Sequence, residues 1–333
     1  MILFGQKLIG KKAPDFPKGL VWINSEELDW EKLKGKIVLV DFWTYSCVNC
    51  IRTLPFLKKW HERYKDFGLV IVGVHSPEFD FEKNPENVKK AGERFGLKYS
   101  IVLDPDRRIW DLYDNAWWPR KILINQKGEI VYDHIGEGQY GQTEAKIQEL
   151  ILAETKTKID LPRIDFEEGT GGVCYPATEE LYLGYGRGQI GNLAGYQKNI
   201  LANYRDASQH KTNVFYLSGF WIAAGEYIES QSGDTANYLF LNYQAISLNL
   251  VMESAKDEKK AFVKLNDQWL NKDFAGDDVQ FSGKGETFVL IKEARMYNLI
   301  RAKDFHQGEI KIFPANSDLR FYAFTFGGCS HSE

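Results

Sequence analysis

Cysteine is scarce in this sequence: Cys47, Cys50, Cys174 and Cys329 are the only four in 333 residues. That is too few for a disulfide-stapled scaffold, so the fold has to be held by apolar packing. Long apolar runs are missing as well, and none approaches the roughly 20 residues that a membrane-crossing helix requires. There is no excess of one charge sign, with 42 Lys+Arg against 46 Asp+Glu and a formal net charge of −4. This balance gives no electrostatic basis for nucleic acid or an anionic membrane surface as a partner. The opening MILFGQKLIGKKAPDF puts its lysines after a short apolar stretch, which reverses the order of a secretory signal. It also lacks an adequate apolar segment and a small-residue cleavage site. The expectation is a cytoplasmic protein as the sequence is written, or an extracytoplasmic one if a signal or membrane domain has been removed.

With 44% hydrophobic residues the chain can bury a substantial core. Single cores stop growing at about 250–300 residues, so about two domains are expected. The run IVLVDFW (37–43) reads as a buried strand. Behind it Ile51, Leu54, Leu57, Trp60 and Tyr64 recur at helical spacing. LVIVGV (69–74) is a second buried strand, and NPENVKKAGERFGL (84–97) is a helix capped by Asn84 with Pro85 in its first turn. YSIVL, a short helix around DRRIWDLYD, the strands KILIN and EIVYDHI joined at Gly128, and the helix QTEAKIQELILAE complete an α/β domain over residues 1–154. Residues 155–178 lose all periodicity and read as a linker. From 179 to 333 the pattern is strand-like, with RFYAFTF, ETFVLI, RMYNLIR and GEIKIF separated by turn clusters, which predicts a β-sandwich of jelly-roll type.

The stretch WTYSCVNC (43–50) carries the chemistry. Thiol–disulfide exchange requires a thiolate, and Cys47 falls where the strand gives way to a helix, so free backbone N–H groups and the positive dipole end favour a negative sulfur there. Cys50 lies one turn further in, within reach of a mixed disulfide held on Cys47. Cys47 is thus the expected nucleophile and Cys50 the resolving thiol. A zinc site would need a second CxxC or a close His pair, and neither is present, so no metal or other cofactor is expected.

DFWTYSCVNCIRTLP resembles the active-site segment of the thioredoxin superfamily, with Asp41 six residues before Cys47 and Pro55 five after Cys50. IGKKAPDF and LVIVGVHSPE resemble the TlpA-like branch of thiol-disulfide oxidoreductases. LYLGYGRG, SGFW and the ending FYAFTFG are similar to the C-terminal part of DipZ-type proteins, where a thioredoxin-like domain precedes a sandwich resembling a carbohydrate-binding module. The membrane electron-transfer domain that precedes both in DipZ-type proteins is not in this sequence. The resemblance implies a thioredoxin-like first domain and a cis bond at Trp118–Pro119 that presents substrate backbone to the cysteines. It also implies supporting roles for Asp41, a buried carboxylate moving protons to and from Cys50, and for Trp43. The implied partners are a disulfide-bearing protein or small-thiol substrate and an upstream electron donor of thioredoxin-reductase or membrane CcdA type. A glycan is a candidate ligand of the second domain.

Other motifs compete. Thr44 gives T-x-x-C, as in peroxiredoxins, but position 40 is Val rather than that family's Pro. A thiol peroxidase is accordingly the alternative activity, and a non-catalytic glycan- or protein-binding module on a thioredoxin scaffold is the alternative class. His75 and Glu78 follow the second strand and read more simply as a solvated loop. Gly186, Gly188 and Gly191 satisfy G-x-G-x-x-G without a βαβ context, so a glycine-rich turn is the simpler reading. Asp273, Asp277 and Asp278 could ligate calcium or merely solvate a turn. Trp221, Tyr227 and Trp269 could form an aromatic platform or pack in the core. Cys174 and Cys329 near the two ends of the β domain could form a structural disulfide or stay as two buried thiols.

Overall fold

The computed structural model describes residues 8–155, 174–207, 209–254 and 257–329. The chain divides into two compact units, Met1–Glu168 and Gly169–Glu333. Most of the expected linker, residues 156–173, lies outside the described residues. Its last part packs on the second unit, where Thr178 N–H donates to Gln244 O (2.8 Å).

Among the described residues the first unit is built on six strands and four α-helices. They are β1 (Trp22–Ile23), β2 (Ile37–Trp43), α1 (Val48–Tyr64), β3 (Leu69–His75), α2 (Pro85–Phe95), β4 (Ser100–Leu103), α3 (Arg108–Leu112), β5 (Arg120–Ile124), β6 (Ile130–Ile135) and α4 (Tyr140–Thr155). The sheet order is β1-β4-β3-β2-β5-β6. Strands β2, β3 and β4 are parallel, whereas β1, β5 and β6 run antiparallel to their neighbours. This is the thioredoxin-like α/β architecture. Strand β1 has only two residues and therefore gave no periodic signal.

Every residue of β2 is buried. Side chains alternate between faces along a strand. Val38, Val40 and Phe42 enter a core with Val72, Val74, Trp110 and Ile122, so Asp41 and Trp43 point to the opposite face. Helix α1 buries Cys50, Thr53, Leu54, Leu57, Trp60 and Tyr64. Asn84 caps α2 by accepting from Glu86 N–H (3.0 Å), with Pro85 at the first helical position.

The second unit is an all-antiparallel β-sandwich in which most of the described strands pair along one continuous path and two short ones pair off it. Continuity comes from two long strands, Tyr238–Ser254 (17 residues) and Arg295–Pro314 (20 residues), with register shifts between Ala245/Ser247 and Leu248/Asn249. Such irregularities bend a strand and let it serve both layers. RMYNLIR and GEIKIF, expected as separate strands, are thus two ends of a single strand. Between the layers lie Leu217, Trp221, Leu241, Leu250, Met252, Val263, Ile312 and Phe324. Cys174 and Cys329 are joined by a disulfide with Cα atoms 4.0 Å apart, which ties the two ends of the unit across 155 residues.

Candidate active site

Strand β2 delivers the chain to the site, and α1 begins at once behind it. Cys47 is the N-cap of α1 with extended backbone (φ −80°, ψ 117°), and its Sγ accepts the Cys50 N–H at 3.3 Å. A sulfur in this position takes up one of the donors that a helix leaves unpaired at its start. Both thiols are free; Cys47 is partly exposed and Cys50 is buried. Burial, reinforced by the neighbouring Cys47 sulfur, pushes the Cys50 thiol well above its ordinary value. Cys50 therefore holds its proton until a base removes it.

Asp41 is 1% exposed, and neither carboxyl oxygen has a hydrogen-bond partner among the described residues. Burial pushes its pKa up to about 7, against the opposing pull of the Lys121 ammonium. Lys121 lies directly opposite Asp41 in the β2–β5 register and donates to Gly136 O at 2.9 Å. Burial lowers the Lys121 pKa, while Asp41 raises it. On the other side Asp41 pairs with Gly73 of β3, where a Cβ would stand 3.0 Å from Trp43 Nε1. Trp43 is fully buried with its ring edge against His75 (centroids 5.3 Å apart), so it walls the site and has no exposed surface.

The Trp118–Pro119 bond is cis. Trp118 donates its indole N–H to Ser76 O (3.0 Å) and packs on Trp110 with centroids 4.4 Å apart. The Arg107 guanidinium lies 5.1 Å from its ring centroid. Trp117 beside it is exposed. His75 is not in a solvated loop but is 1% exposed, with burial pushing it down to about 3, and it contacts the Thr44 hydroxyl at 3.4 Å.

Several other candidates fall outside this site. Asp277 pairs with Arg301 (2.5 Å) and Asp278 with Arg295 (2.6 Å), so their carboxylates serve ion pairs. Among Gly186, Gly188 and Gly191, a Cβ on Gly188 would come within 2.2 Å of Tyr182 O and one on Gly191 within 2.3 Å of the Tyr216 ring, so these glycines serve close packing. Trp221 is core and donates to Ser218 O (2.7 Å), Tyr227 stacks on Arg320, and Trp269 lies at the surface beside Lys264. Sequence reasoning did not single out Lys121, Ser46 or Glu82. Lys121 follows Arg120 at the start of a strand whose remaining residues are apolar, and a charge in that buried run was its only visible signal.

Two thiols one helical turn apart, one at the rim and one sealed beneath it, meet the geometric requirement for dithiol–disulfide exchange, and this defines the class. A family model described as Redoxin matches residues 8–151, and one described as Thioredoxin like C-terminal domain matches residues 178–327. Thiol-disulfide oxidoreductase ResA of Halalkalibacterium halodurans is 34% identical over 143 residues, covering 43% of this chain and 74% of that protein. Protein DipZ of Mycobacterium bovis is 35% identical over 245 residues, 72% of this chain but 35% of that protein. The chain thus spans about a third of the DipZ length. A solved thiol-disulfide isomerase from Corynebacterium glutamicum is 26% identical with a TM-score of 0.38, covering 42% of this chain and 96% of that one. The chain belongs to the redoxin family through its first domain and carries a second domain similar to part of DipZ.

Proposed function

We propose that Cys47 attacks disulfides of protein or small-thiol substrates and that Cys50 resolves the adduct. The observation that carries this reading is the asymmetry of the pair, with Cys47 at the rim on a helix N-cap and Cys50 buried on the Asp41 side. In the first step the Cys47 thiolate attacks one substrate sulfur, a mixed disulfide forms, and the other sulfur leaves as a thiolate that takes a proton. In the second step the Asp41 carboxylate removes the Cys50 proton. The Cys50 thiolate then attacks Cys47 Sγ, forming the Cys47–Cys50 disulfide and releasing the second substrate thiol. The substrate gains two electrons, so an upstream dithiol donor of thioredoxin-reductase or membrane CcdA type must restore the pair. Trp118–Pro119 presents the substrate backbone. The Cys174–Cys329 disulfide supports the extracytoplasmic of the two compartments expected from the sequence. Insulin reduction tests the core of the reading. Cys47→Ser is expected to abolish turnover, and Cys50→Ser to accumulate a mixed disulfide on Cys47. Normal reduction by both variants would sink it.

The second unit is proposed as a binding and positioning module, with a glycan as its candidate ligand. A cleft of about 410 Å³ beside the exposed Phe220, lined by Asn203, Arg205, Asp206 and Ser218, supports this role. It combines an aromatic face with polar groups that can pair with hydroxyls. Retention on an insoluble polysaccharide is expected for the full chain and is expected to be lost in Phe220→Ala. Equal retention of the two, or none by either, removes the glycan.

A further inference from the structure

Glu82 is 1% exposed and sits between two segments that meet at the site. Its Oε1 accepts from the Ser46 hydroxyl (2.6 Å) and the Ser46 backbone N–H (3.3 Å), while its Oε2 accepts from the backbone N–H groups of Glu78 (2.6 Å) and Phe79 (3.0 Å). Burial pushes its pKa upward, opposed by hydrogen bonds from Ser46 and Thr44 and, more weakly, from the Phe79 backbone. With donors converging on both oxygens, the carboxylate form is the one the surroundings satisfy. Ser46 immediately precedes Cys47. The segment held by the other oxygen is continuous with Ser76, whose O accepts the Trp118 indole and whose N–H donates to Trp43 O (3.1 Å), and with Pro77, whose O accepts from Arg107 (2.9 Å). One buried carboxylate thus fastens the residue before the nucleophile to the segment that also holds Trp118.

We infer that Glu82 is a positioning residue for the thiol chemistry: it fixes Ser46, and through it the approach of Cys47 to the first turn of α1. The inference rests on Cys47 being the attacking thiol. Its consequence is that the Cys50 N–H···Sγ contact persists only while Ser46 is held. Losing the tie slows reaction at Cys47 and shifts the pair's equilibrium toward its disulfide, because the reduced form loses that hydrogen bond. A purely electrostatic role has the opposite sign. Removing a negative charge near Cys47 would stabilise the thiolate and quicken it.

Glu82→Gln and Ser46→Ala separate the two roles, since the first removes the charge and the second keeps it while breaking the side-chain bond. In the full-length reduced protein, iodoacetamide labelling at Cys47 is followed by mass spectrometry at pH 7, alongside the glutathione equilibrium constant and circular dichroism. Both variants are expected to label Cys47 more slowly, by about tenfold for Glu82→Gln and less for Ser46→Ala. Both are also expected to move the equilibrium toward the disulfide. Faster labelling in Glu82→Gln with Ser46→Ala unchanged overturns the positioning role, as do wild-type rates and equilibria in both. If Glu82→Gln does not fold, Ser46→Ala decides by the same criteria. Wild-type protein that labels Cys50 before Cys47 would instead contradict the assignment of the nucleophile, and the inference would fall with it.

Discussion

Burying a carboxyl without a hydrogen-bond partner favours its neutral form, and at Asp41 this moves the group from the ordinary 3.8 to about 7. Below about pH 4 the carboxyl is neutral in folded and unfolded chains alike. Between 3.8 and about 7 the folded chain keeps a proton that the unfolded chain has lost, so stability falls as pH rises through this window and levels off above it. Asp41→Asn is expected to remove that fall, a relative gain of about 2–4 kcal/mol at pH 8 over pH 4 in denaturant titrations. Catalysis moves the other way. With the carboxylate as the base proposed for Cys50, release of a mixed disulfide is expected to quicken as pH rises through about 7 in the native chain. In Asp41→Asn it should be slower and lack that step. An unchanged release profile in stopped-flow measurements would remove Asp41 from the proton path. Asp41 was visible in the sequence because an acid inside IVLVDFW has no solvent to face. Glu82 was not, because FDFEKN just ahead of the Asn84 cap looks like any solvated turn, and only the fold carries it beneath Ser46.

At the scale of elements, the parts with a strong period were legible. The helix over Val48–Tyr64, the capped helix at Pro85 and the buried strands around them stand where spacing and capping residues put them. Strand β1 escaped notice because two residues cannot show alternation, and its place is set by antiparallel pairing with β4. The strand Arg295–Pro314 escaped for another reason. Its middle, AKDFHQ, is polar and mostly half-buried or exposed, so the sequence reads as a loop between two strands. Backbone pairing to Tyr238–Ser254 runs as far as His306 and resumes at Arg301, so residues 302–305 bulge out of the ladder while the strand continues on both sides. His75 shows the same limit at a strand end, since the β3 register with Leu103 and the ring of Trp43 bury a residue that looked like the start of a loop.

At the scale of the whole molecule, two units with separate cores carry separate cysteine pairs, one free and one bonded. A crosslink spanning 155 residues restricts the unfolded chain strongly, with a limit of about 5 kcal/mol from loop entropy. Replacing Cys174 and Cys329 by serine is expected to lower the unfolding free energy of the second unit by about 2–5 kcal/mol and to leave labelling of Cys47 unchanged. Unaltered stability would show that the bond staples nothing. The proposed exchange chemistry depends most directly on Cys47 and Cys50 acting as one couple, and their redox equilibrium measures that. The full-length protein would be equilibrated across a glutathione or dithiothreitol series, quenched by thiol labelling, and read at each cysteine by mass spectrometry. The expected result is that Cys47 and Cys50 lose label together along a single two-electron curve. Loss at one cysteine without the other, or no loss across the series, would contradict a shared redox pair.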